Sequence, residues 1–155
     1  MGHAADLALG IALARPDRRV ICLNGDGSML MSLGTLATIA QCRAANLILF
    51  IAQNDTYEIT GNQPVPGARR LDFAGMARAA DWPRAFTFDE ARDYESQLDK
   101  ILRLDGPVMV VVRVAAGDEG PITRGEKEGL SYLRPSLAES AHRLRDALGL
   151  VPSPY

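Results

Sequence analysis

The chain is poor in several residue types, and each shortage excludes something. It has two cysteines, Cys22 and Cys42, with no C-x-x-C spacing. That leaves no disulfide framework and no ligand set for an iron–sulfur cluster, and both are read as reduced thiols. Basic residues are not in excess: Lys and Arg total 17, Asp and Glu total 19, and the net charge is −2. Binding to nucleic acid or to an anionic membrane surface is therefore not expected. The longest apolar runs, "NLILFIA" and "PVMVVV", are too short to cross a bilayer. The start has no basic stretch ahead of an apolar one, so no secretory leader is expected and a cytoplasmic location is. Repeats and low-complexity tracts are absent. Neither G-x-G-x-x-G nor G-x-x-x-x-G-K-[ST] occurs, because Leu30 stands where the third glycine of the first would be.

What is present is an alternation of strand-like and helix-like segments. Residues 3–14 have helical spacing and stop at Arg15-Pro16-Asp17. Residues 19–24 read as a short buried strand, Gly25-Asp26-Gly27 as a tight turn, and Ser28 as the cap of one helix running through "MLMSLGTLATIAQCRA". Residues 46–53 form a continuous apolar run, as in strands covered on both faces. A polar loop, "NDTYEITGNQPVPGARR", follows. Then come a helix in "DFAGMARAA", a strand in "RAFTF", a helix over 89–103 and a strand in "PVMVVVRV". The order predicts an α/β fold with a parallel, doubly wound sheet and helices on both faces. One domain is expected over 1–150, with a surface loop at 115–134. An amphipathic helix is predicted at 135–148, with Pro135 in its first turn, a stripe of Leu137, Ala141, Leu144 and Leu148, and Gly149 at its end. That stripe is expected to pack on its own domain, and 151–155 is a tail.

Two polar residues fall where apolar strands end: Asp26 and Asn54. Ligands of open parallel sheets bind at such carboxyl ends. The flanking glycines allow close approach of a ligand to the backbone, and a helix opening near Ser28 favours phosphate. An aspartate beside phosphate needs a cation between them, and Mg²⁺ with its hard oxygen ligands meets that need. Each residue also has a plainer reading, Gly-Asp-Gly as a turn and Asn54 as a cap or turn residue.

Gly-Asp-Gly followed by 26 residues and then Asn54 resembles the thiamine diphosphate motif. The resemblance runs from Met1 to about Val114, and the chain is similar to the diphosphate-binding domain of the decarboxylase group of thiamine diphosphate enzymes. Within that group, "NGDGSMLMSLGTLATIA", "NLILFIAQND" and "TGNQP" most resemble the phosphonopyruvate and sulfopyruvate decarboxylases, some of which are split into two short subunits. The resemblance implies Asp26 and Asn54 as Mg²⁺ side-chain ligands, with the main-chain carbonyl of Thr56 as a third. It places the diphosphate against Gly25, Gly27 and Ser28, and puts Tyr57, Glu58 and Ile59 at the cofactor and the mouth of the site. Met1 stands where the family has a bulky apolar residue under the thiazolium ring; the alternative is an initiator methionine. Gln63 and His3 are possible substrate contacts, although His3 also reads as a helix-start residue. Arg69 and Arg70 could meet an anionic substrate group or be a solvated pair, and His142 is expected on the surface.

The implied activity is decarboxylation of a small 2-oxo acid, or carboligation after it. The implied partner is a pyrimidine-binding-domain subunit that carries the activating glutamate, in a hetero-oligomer. Alternatives are a part of an acetolactate-synthase-like enzyme and an inactive relative acting as a binding protein. Three features depart from the family pattern. The chain begins inside the "GSMG" segment, so the start is truncated or the sheet lacks its first strand. Asn62 replaces a glycine, and Tyr57-Glu58 replaces shorter residues.

Overall fold

The computed structural model describes residues 1–117 and 135–149. The chain divides into two compact units, Met1–Pro121 and Ile122–Tyr155. Four parallel strands form the sheet of the first unit: β1 (Val20–Gly25), β2 (Leu47–Gln53), β5 (Arg84–Phe88) and β6 (Val108–Arg113). Their order is β1-β2-β6-β5, and the sheet is doubly wound, as the alternation predicts. Helices α1 (Ala4–Ala14), α3 (Thr35–Cys42) and α4 (Phe73–Ala79) supply the core of one face, and α5 (Ala91–Ile101) that of the other. Helix α2 (Asp26–Met31) and a small hairpin of β3 (Thr56–Tyr57) and β4 (Gln63–Pro64) complete the unit.

The central strands show why a continuous apolar run marks a parallel sheet. Leu47, Leu49 and Ile51 face one core while Ile48 and Phe50 face the other, so nearly every position of β2 is buried. Strand β6 divides in the same way, Met109 and Val111 to one side, Val108 and Val110 to the other. Strand β1 lies at the sheet edge, and alternate residues, Ile21 and Leu23, are exposed. Trp82, the single tryptophan, is buried and donates from Nε1 to the Leu36 carbonyl at 2.9 Å, joining the turn after α4 to α3.

Three local readings need correction. Strand β1 continues through Gly25, and Asp26, not Ser28, begins α2. No side chain caps that helix; the Ser28 hydroxyl accepts a bond from the Gly2 N–H instead. The single helix expected after it is two, α2 and α3, broken between Met31 and Thr35. The break places Gly34 at the start of α3, where an exposed backbone without a Cβ is tolerated. The loop after Asn54 also contains more than loop: the β3/β4 hairpin is closed by a 3-10 turn at Glu58–Thr60.

In the second unit, α6 (Leu137–Ala147) forms within the expected span. Ser136, rather than Pro135, sets its start through a capping box with Glu139. Gly149 follows the end with φ +69°. The expected loop lies outside the described residues from 118 onward, and so does the tail at 151–155.

Candidate functional site

Register brings the two motif residues together. Strands β1 and β2 pair in parallel with Gly25 opposite Ala52, so the residues that follow, Asp26 and Asn54, leave neighbouring strand tips. A direct bond ties the tips: the Asp55 N–H donates to Asp26 Oδ2 at 2.7 Å. The other carboxylate oxygen, Oδ1, accepts from the Gly27 N–H at 2.7 Å. Asp26 is 2% exposed. Among the described residues no lysine, arginine or histidine forms an ion pair with it. Burial pushes its carboxyl above the ordinary carboxylate range, outweighing the two N–H bonds that pull it down, and the nearby Asp55 charge adds to the rise.

Asn54 is held at both ends of its carboxamide. Oδ1 accepts from the Thr56 N–H at 3.1 Å, and Nδ2 donates to Glu58 Oε2 at 2.6 Å. The first bond is an Asx-turn, so the plainer reading of Asn54 as a turn residue is also realised. Next to it, Asp55 takes φ +62°, and its carboxylate accepts from Gln53 Nε2 and the Arg69 N–H, which anchors the loop to the end of β2.

A pocket of about 320 Å³ opens between these tips. Met1, Gly25, Asp26, Gly27, Ser28, Asn54, Thr56, Tyr57, Glu58 and Ile59 all line it. The ten residues singled out from sequence as cofactor contacts thus converge on one cavity. Met1 reaches it because the Gly2 N–H donates to Ser28 Oγ at 3.0 Å, with Gly2 at φ +93°, where a side chain is strained. Leu23, Asn24 and Ala52 line the pocket too and were not anticipated. Their signal was position alone, since each falls within two residues of a strand's carboxyl end. A larger concavity, about 600 Å³, lies at the opposite end of the sheet against Arg18, Arg19 and Asn46, and contains none of the motif residues.

His3, Gln63, Arg69 and Arg70 stand apart from the pocket. His3 bonds Asp6 through Nδ1 at 2.7 Å and does not line the pocket. Gln63 is exposed and exchanges bonds with Thr60. Arg69 and Arg70 are exposed outside the pocket lining. His142 is exposed on α6. Asn62 sits at φ +59°, the left-handed region, in which asparagine is among the few residues able to stand in for glycine.

The donor set suits a hard divalent cation and a diphosphate. Asp26, Asn54 and Thr56 all line the pocket, where a buried carboxylate without a cationic partner among the described residues, a carboxamide and a main-chain carbonyl could supply oxygen ligands. No group of three or more His, Cys, Asp and Glu side chains that could hold a metal occurs among the described residues. A cation here would therefore be held by mixed protein oxygens together with its ligand. A Cβ built on Gly25 meets nothing within 4 Å, so the pocket floor is open at that point. Ser28 Oγ accepts from Gly2, which leaves its own proton free to donate.

A parallel sheet with an acidic and an amide tip around one pocket is the arrangement of a diphosphate-binding domain. The chain belongs to the family described as thiamine pyrophosphate enzyme, C-terminal TPP binding domain, which it matches over residues 1–112. It is 32% identical to the phosphonopyruvate decarboxylase of Streptomyces viridochromogenes over 99% of its length and 36% of that protein. It is 36% identical to the sulfopyruvate decarboxylase subunit beta of Methanothermobacter thermautotrophicus, over 76% of this chain and 60% of that one. The solved 4-hydroxybenzoylformate decarboxylase of Rhodococcus jostii, a thiamine diphosphate-dependent enzyme, superposes with a TM-score of 0.64 at 28% identity, covering 76% of this chain and 24% of that one. The chain thus spans from about a third to three fifths of the curated relatives it matches. Among the described residues, no helix is long and apolar enough to cross a membrane.

Proposed function

We propose that this chain is the diphosphate- and Mg²⁺-binding part of a thiamine diphosphate-dependent decarboxylase acting on a small 2-oxo acid of the phosphonopyruvate or sulfopyruvate kind. The observation that carries this reading is the convergence of Asp26 and Asn54, from two strands, on a pocket whose buried carboxylate has no cationic partner among the described residues. Bound there, thiamine diphosphate would supply the nucleophilic carbon that takes up the keto group and the electron sink that allows CO₂ to leave.

The chain's own residues bind and orient. Asp26 and Asn54 would hold the cation through side-chain oxygens and Thr56 through its carbonyl. Gly25 would leave room for the diphosphate, and Ser28 could donate its hydroxyl proton to it. Met1, Leu23, Tyr57 and Ile59 would offer apolar surface to the cofactor; Met1, Leu23 and Ile59 are exposed in this chain, so the partner subunit would complete the exclusion of water. Among the described residues the pocket has two carboxylates, Asp26, which this reading gives to the cation, and Glu58, which is bonded to Asn54. The activating glutamate is assigned to a pyrimidine-binding subunit, with the cofactor between the two.

Calorimetry tests the assignment. With Mg²⁺ and the pyrimidine-domain subunit present, thiamine diphosphate should bind the wild-type chain, and Asp26→Ala should weaken binding at least about a hundredfold, as loss of a direct charged ligand does. Equal binding by the variant would end the reading.

A further inference from the structure

An asparagine that serves as a cation ligand has a weakness that an aspartate lacks. Its oxygen and nitrogen are nearly isosteric, and rotation by a half-turn presents an N–H₂ group to the ion. In this protein both ends of the Asn54 carboxamide have partners of opposite character. The Thr56 N–H, a donor, faces Oδ1 at 3.1 Å, and the Glu58 carboxylate, an acceptor, faces Nδ2 at 2.6 Å. The flipped amide would set donor against donor and acceptor against acceptor, losing both bonds.

The carboxylate is itself held in place. Glu58 Oε1 lies against Gly117 so closely that a Cβ there would overlap it. Gly117 is in turn fixed by the Asn62 Nδ2 bond to its carbonyl at 3.0 Å, and Asn62 Oδ1 accepts from Thr56 Oγ1 at 3.1 Å. Thr56 closes the circuit through its N–H bond to Asn54. The charge at Glu58 also has an electronic effect: a carboxylate on the N–H₂ side polarises the amide and places more electron density on Oδ1. Without such a role, a carboxylate lining a pocket suited to a diphosphate would only repel it.

We infer that Glu58 is a positioning residue that locks the Asn54 carboxamide with its oxygen toward a divalent cation, acting through Asn54 and not as a ligand itself. The inference rests on the cation-and-diphosphate reading above.

The test uses the full chain together with its pyrimidine-domain subunit, saturated with thiamine diphosphate, with Mn²⁺ as the spectroscopic probe and free Mn²⁺ followed by electron paramagnetic resonance. Glu58→Ala should weaken Mn²⁺ binding about 10- to 100-fold, the usual effect of removing a partner that orients a metal ligand. Glu58→Gln keeps a carbonyl oxygen able to accept from Nδ2 and should stay within about threefold of wild type. Gly117→Ala, which pushes on the carboxylate, should fall between wild type and Glu58→Ala. In metal-free protein, the Asn54 carboxamide nitrogen signal should move in Glu58→Ala and stay near its wild-type position in Glu58→Gln.

Wild-type affinity in Glu58→Ala, alongside loss of binding in Asp26→Ala, would overturn the inference and leave the site assignment standing. So would Glu58→Gln failing as badly as Glu58→Ala, or an Asn54 signal indifferent to Glu58→Ala. If Asp26→Ala also binds normally, or the wild type shows no site, the underlying reading falls and takes this inference with it.

Discussion

The Tyr57 ring lies where a β-carbon on Gly27 would stand. Its Cδ1 and Cε1 atoms are 2.5 Å from that position, and Val65 Cγ2 is 3.3 Å away on the buried side. The residue after Asp26 is therefore glycine because the loop from the second strand folds directly over it. Gly27→Ala must displace the aromatic ring and should destabilise the protein by about 1–3 kcal/mol, as overpacking does. Urea denaturation followed at the single tryptophan measures this; an unchanged midpoint would show that the ring moves away freely.

Gly25, two residues earlier, makes the opposite prediction. Its φ of −91° and ψ of 157° suit any residue, and a Cβ there meets nothing within 4 Å. Gly25→Ala should leave the ligand-free stability within about 0.5 kcal/mol of wild type. The added methyl projects into the pocket, so thiamine diphosphate affinity should fall about tenfold or more, or 1.4 kcal/mol. A stable variant with unchanged affinity would mean that the diphosphate lies elsewhere. The two glycines thus separate what the fold requires from what the ligand requires.

Asp26 predicts a pH effect in the ligand-free protein. Burial is the main cause raising its pKa above the ordinary 3.8, so the folded state holds the proton more tightly than the unfolded chain. The stability tied to this group is accordingly present below its unfolded pKa and is lost as pH rises through the folded value. Carboxyl ¹³C titration should give Asp26 a midpoint above 3.8, and Mg²⁺ with thiamine diphosphate should bring it down. A midpoint at or below 3.8 in the free protein would contradict the buried, uncompensated charge.

How far the sequence discloses all this depends on whether each cause is local. Strands β2 and β6 are legible because burial on both faces leaves polar residues only at their carboxyl ends, Gln53 and Arg113, so the apolar run is itself the signal. The pairing of Asp26 with Asn54 is legible because strand–turn–helix–strand spacing fixes it to within a residue or two. The start of α2 is not. Ser28 looks like a cap, but its hydroxyl accepts from Gly2, 26 positions away in the chain, and Asp26 is held by Asp55 from the loop after β2. The break between α2 and α3 is hidden because Leu33 and Leu36 continue a helical spacing through it. The Glu58–Asn54 bond is hidden for a related reason: it depends on a 3-10 turn inside what reads as a polar loop. Of the substrate candidates, His3 and Gln63 lie close in sequence to the cofactor-site residues, but local partners, Asp6 and Thr60, engage both.

The far end of the sheet offers a test that stability and ligand binding are separable. Asn46 Nδ2 lies 3.0, 3.0 and 2.7 Å from the carbonyls of Ala12, Arg15 and Arg18, pinning the turn between α1 and β1 to the start of β2. Asn46→Ala removes these bonds where water can partly replace them, and should cost about 1–2 kcal/mol. Asn46→Asp should cost more at neutral pH, because a carboxylate would then face three carbonyl oxygens with no proton to offer. Its folded-state pKa would be raised, so the excess cost should shrink as pH falls and the carboxyl takes up a proton. Neither substitution touches the pocket at the carboxyl ends of the strands, and thiamine diphosphate affinity should stay within about twofold of wild type at temperatures where the variants remain folded. Denaturation midpoints at pH 7 and pH 4, with calorimetry on the same samples, check both halves. Equal losses for the two variants at pH 7, or an affinity change that follows the stability change, would show that the two ends of the sheet are coupled.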